Sequence, residues 1–92
     1  MSPDTSPPLA ELDRAGILSR VKEQLVRLLN LESTDSMDES TELAKDLGVD
    51  SLGMVDLVIV MEESFQVKMA SDTDLTSVRT IGDMTDLLLG MK

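Results

Sequence analysis

The chain has 92 residues and a formal net charge of −10, from 18 acidic and 8 basic residues, with one aromatic residue and neither cysteine nor histidine. That length bounds it to one domain, and the acidity with almost no aromatic surface argues against nucleic acid and anionic membranes as partners. Missing thiols and imidazoles remove disulfides, the commonest general base and the commonest transition-metal ligands, so no metal site is expected.

Residues 1–8, MSPDTSPP, carry three prolines among small polar residues. They read as a disordered N-terminal tail, with residues 9–92 as the folded domain. No apolar run approaches a membrane span and no basic segment leads into a signal-like stretch, so a cytoplasmic location is expected.

From about Ile17 to Asn30, Leu18, Val21, Leu25, Leu28 and Leu29 recur at three- and four-residue spacing and predict an amphipathic helix, with Arg20, Lys22, Glu23 and Arg27 on its polar side. A turn is expected over Leu9 to Arg14, Gly16 weakens the early part, and Asn30 is the expected stop. Glu32 to Asp50 reads as a long loop, pinned by Leu43 and Leu47, with Gly48 at a conformation other residues resist.

A second helix is expected over Ser51 to Phe65, capped by Asp50. Leu57, Val58, Met61 and Phe65 follow one face, and Leu52, Val55 and Ile59 follow another. A small domain cannot bury both, so the second face is expected to be a contact surface. After a short extended segment over Gln66 to Ala70, a short third helix is expected over Asp72 to Ser77, capped by the pair Ser71 and Asp74. A last helix is expected over Ile81 to Leu89, capped by Thr80 and Asp83 and stopped at Gly90. Ile81, Met84, Leu87 and Leu88 supply its buried stripe. The expected fold is all-α: a four-helix bundle of three longer helices and one short third helix, with a long loop between helices one and two. Met54, Met61, Met69 and Met84 are expected to fill core space.

Catalytic readings fail. A serine hydrolase needs a base, and the spacing of Gly48 and Gly53 around Ser51 does not make a nucleophile elbow. Residues 35–46 are acidic, but Met37 falls on a ligand position of a calcium loop and no glycine stands at its sixth place. Glu62 and Glu63 are adjacent on a helix and do not converge on one point.

Asp46 to Leu57, DLGVDSLGMVDL, resembles the signature of the acyl carrier proteins. The match continues through Glu62-Glu63-Ser64-Phe65 and Thr80-Ile81-Gly82-Asp83 and covers about Ile17 to Leu89. The resemblance implies that the protein is not an enzyme. It implies a 4′-phosphopantetheine arm on Ser51, placed there from coenzyme A by a phosphopantetheinyl transferase. An exposed serine at a helix start suits this, because the free N–H groups and the positive end of the helix dipole favour a phosphate. Partner enzymes (an acyltransferase, ketosynthase or ligase with basic docking patches) would read the second helix through Asp50, Leu52, Val55, Asp56, Ile59 and Glu62. A monomer is expected. Many fatty-acid carriers have an acidic residue where this chain has Gly53, which points to polyketide or another specialised pathway. The alternatives are a stand-alone aminoacyl or peptidyl carrier using the same arm, and an unmodified helical adaptor binding a basic partner.

Overall fold

The computed structural model describes residues 9–35, 37–69 and 75–91. Helices α1 (Arg14–Leu29), α2 (Ser51–Phe65) and α3 (Ile81–Leu89) carry the fold, with 3-10 turns at Leu9–Glu11 and Leu75–Ser77. Among the described residues there is no strand beyond one isolated antiparallel bridge, Glu42 to Thr80. The expected third helix is represented by the turn at Leu75–Ser77. Its expected caps, Ser71 and Asp74, lie outside the described residues, as does the N-terminal tail. No described helix is long and apolar enough to cross a membrane.

Each helix contributes one stripe to a single core. Ile17, Val21 and Leu25 come from α1, Leu57, Met61 and Phe65 from α2, and Ile81, Met84 and Leu88 from α3, all buried. Spacings of four residues in α1 and α2, and of three then four in α3, bring each set onto one face of its helix. α1 packs against both other helices. Burying a side chain of this size is worth about 1.5–3 kcal/mol, so these nine residues dominate the favourable side of folding.

Helix ends are set by local chemistry. α1 begins earlier than expected because Asp13 caps it, accepting from the Gly16 N–H at 2.8 Å. Gly16 therefore stands in the first turn rather than in the helix interior, where it would weaken it. Asn30 ends α1 in the left-handed conformation, with its N–H on the Val26 carbonyl, and Gln66 ends α2 in the same way.

The expected apolar face of α1 needs correction. Leu18, Leu28 and Leu29 are only partly buried, and Arg20 is buried rather than on the polar side. Its guanidinium lies 5.1 Å from the centre of the Phe65 ring and donates to the Ser64 carbonyl at 3.1 Å. A cation is favoured there by the ring face and by the negative end of α2. In α3, Leu87 is only partly buried, and Gly82 and Thr85 take places in the buried face.

Residues 31–50 contain no helix among those described, yet they are closely tied down. Leu43, Val49 and Met37 are buried, while Leu47 is half-buried. Gly48 has φ of 74°, a left-handed value that a side chain would strain. Leu43 N–H donates to the Arg79 carbonyl, Ile81 N–H to Thr41 and Gly82 N–H to Glu39. A strap of loop thus runs beside the start of α3. Arg14 adds ion pairs to Glu39 and, at 3.0 Å, to Asp86.

Candidate functional site

Ser51 is the first residue of α2 and is exposed. Asp50 precedes it in extended conformation and accepts the Gly53 N–H at 2.7 Å, while the Asp50 carbonyl takes the Met54 N–H. The backbone N–H groups of Ser51 and Leu52 donate to no described residue, and the Ser51 hydroxyl makes no bond among them either. A helix start with two open donors and a free hydroxyl is a favourable place for a phosphate ester. With no histidine in the chain, this serine has no imidazole to activate it as a nucleophile.

The contact residues expected on α2 divide into two groups. Leu52, Val55 and Ile59 are 77%, 52% and 48% exposed and share an outward face with exposed Asp56. This face lies opposite the Leu57, Met61 and Phe65 stripe, so α2 is apolar on two sides. Glu62 is half-buried, and its carboxylate accepts the Met69 N–H at 2.8 Å, fixing the chain as it leaves the helix. Asp50 is committed to its cap and Asp46 to the Glu42 N–H. The open carboxylates of this segment are therefore Asp56 and Glu63. Glu63 is exposed, and its spacing from Leu52, Asp56 and Ile59 puts it on the same face. The helical period would have included it.

A cavity of about 320 Å³ lies between the loop, the start of α2 and the segment before α3. Leu43, Val49, Met54 and Val78 supply apolar walls, and Lys45 and Arg79 also line it, with Glu42 contributing one carboxylate. Val49 and Met54 bracket Ser51 in sequence, so one wall of the cavity is built from the start of α2 and the residues just before it. Periodicity gives no sign of this cavity, because it forms only when the loop and residues 78–79 meet.

A family model described as "Phosphopantetheine attachment site" matches residues 19–88. The chain is similar to an acyl carrier protein of Sulfurovum sp. (strain NBC37-1), 40% identical over 63 residues, covering 68% of this chain and 81% of the relative. It is also similar to an acyl carrier protein of Thermotoga maritima, 37% identical over 75 residues, covering 82% of this chain and 90% of the relative.

Proposed function

The chain belongs to the acyl carrier protein family, whose members are carriers rather than enzymes and hold a covalent 4′-phosphopantetheine, and from this premise we propose that Ser51 is the attachment residue. The observation that carries this reading is the free, exposed hydroxyl at the open N-terminal turn of α2. In the loading step the Ser51 oxygen forms a bond to the phosphorus nearest pantetheine, the pyrophosphate bond of coenzyme A breaks, the hydroxyl proton leaves and adenosine 3′,5′-bisphosphate departs. When bound, the arm supplies a terminal thiol that holds acyl groups as thioesters.

The chain's own residues do the remaining work. Asp50 fixes the helix start, and the N–H groups of Ser51 and Leu52 face the new negative charge. Leu52, Val55 and Ile59 offer a small apolar contact, and Asp56 and Glu63 attract basic patches on a transferase, acyltransferase, ketosynthase or ligase. Gly53 leaves this face without the acidic contact that many fatty-acid carriers present at that position, which supports service in polyketide or another specialised pathway.

Intact mass after incubation with coenzyme A and a broad-specificity phosphopantetheinyl transferase tests the attachment. The wild type should gain one phosphopantetheine and Ser51→Ala none; an unchanged wild-type mass, or a modified Ser51→Ala, would sink it. Loading by a malonyl transferase against an adenylating ligase then distinguishes acyl from aminoacyl cargo.

A further inference from the structure

We propose that the cavity beside Ser51 selects cargo whose free end carries a carboxylate, with Lys45 and Arg79 as the recognising cations. The inference rests on Ser51 bearing the arm. It starts from how the basic residues are used. Arg14 is held by Glu39 and Asp86, and Arg20 is buried over Phe65. Lys45 and Arg79 are exposed and form no ion pair among the described residues, although the Arg79 charge also acts on Asp83, which accepts its backbone N–H. They lie far apart in sequence, yet the bond from Leu43 N–H to the Arg79 carbonyl, at 2.8 Å, brings their segments to one cavity. Glu42 offsets one of the two charges, so the described lining residues are net positive in a chain of net charge −10.

The walls decide between possible occupants. A plain alkyl chain matches Leu43, Val49, Met54 and Val78 but leaves both cations to water. The phosphodiester on Ser51 matches the cations but leaves the apolar walls uncovered. A short apolar body ending in a carboxylate matches both, and a guanidinium can hold such a group through two parallel hydrogen bonds. At about 30 Å³ per water-sized group, the volume admits about ten non-hydrogen atoms. That is the size of a short dicarboxylic acid carried as a half-thioester.

The test compares glutaryl with pentanoyl cargo, each loaded with its arm from the acyl-coenzyme A by the transferase. The glutaryl form should shift the methyl NMR signals of Met54 and Val78, and its thioester should react with hydroxylamine about threefold more slowly than the pentanoyl form, the scale of two solvent-exposed ion pairs. Salt at ~0.5 M should remove that protection in the wild type. The double variant Lys45→Gln, Arg79→Gln should lose it for glutaryl and leave pentanoyl unchanged. Equal protection of both cargoes, or glutaryl protection that survives salt and the double variant, overturns the pocket. So does an arm without cargo that already shifts the Lys45 and Arg79 signals, because the cations would then be holding the phosphodiester. A wild-type mass that never changes overturns the attachment reading and this inference with it.

Discussion

The starts of α2 and α3 use the same device to different ends. Each helix follows an extended capping residue, Asp50 or Thr80, whose side chain accepts an N–H three residues on. At the first helical position α2 has exposed Ser51, whereas α3 has fully buried Ile81. At the second, Leu52 projects into solvent, whereas Gly82 lies so close to the loop that a Cβ there would meet the Glu39 carbonyl at 3.0 Å. At the third, Asp83 reaches back to the N–H groups of Arg79 and Thr80, and Gly53 has no side chain with which to do so. The start of α3 is closed on itself and on the loop. That of α2 keeps its donors and hydroxyl available. The difference teaches that a helix cap stabilises in one setting and presents a group in another, and that the neighbours at the next three positions decide which.

The largest effect that tests this contrast is at Ser51. Ser51→Ala should abolish loading, read by intact mass, yet leave urea unfolding within about 0.5 kcal/mol of the wild type, because the position is exposed and the cap is Asp50. At α3 the order should reverse. Gly82→Ala presses a methyl on the Glu39 carbonyl that the Gly82 N–H itself holds in place, and should cost about 1–3 kcal/mol in the same measurement, while loading still proceeds. Thr80→Ala removes half of the capping box and should cost about 1 kcal/mol.

Acid probes the other half of that box. The N–H groups of Arg79 and Thr80 hold the Asp83 carboxyl below its ordinary range. A carboxylate with a lower pKa folded than unfolded contributes fully above the unfolded value and loses that contribution as pH falls through the folded one. Thermal stability should therefore drop below about pH 4, and Asp83→Asn should show a shallower drop. Glu39, held down by Arg14, and Asp38, held down by the Ser40 hydroxyl, add to the same slope. The smallest change is expected for Gly53→Ala. A gain of about 1 kcal/mol in helix propensity is offset by crowding of the new methyl against Val49 and the Asp50 carboxylate, at 3.1 and 3.2 Å. A large shift in either direction would mean that the α2 start is not held as the cap geometry implies.

What the sequence makes legible here is local. The limits of α2 and α3 follow from Asp50 and from the Thr80 and Asp83 pair, because a cap is written within four residues. The two-faced character of α2 follows from spacing alone. The early start of α1 is also written locally, in Asp13, whose cap on the Gly16 N–H places that glycine in the first turn. Arg20 is different in kind. Nothing near it in sequence announces that a ring and a helix end from α2 will receive its charge. Lys45 and Arg79 share that property, since their common cavity exists only in the folded chain. Even the acidic segment read as a docking surface is partly spent on structure, with Asp46, Asp50 and Glu62 each taking a backbone N–H.

The loop strap beside α3 has a kinetic consequence. Leu43, Ile81 and Gly82 each donate an amide across a junction between segments distant in the chain. None of these bonds can form until the intervening residues, including the whole of α2, have been brought round, so closing that long loop must be compensated by all of them at once. Their amides should accordingly exchange with solvent deuterium at a common rate, as one opening unit. The wall of the cavity that carries Arg79 would then come free in the same event that exposes the start of α3.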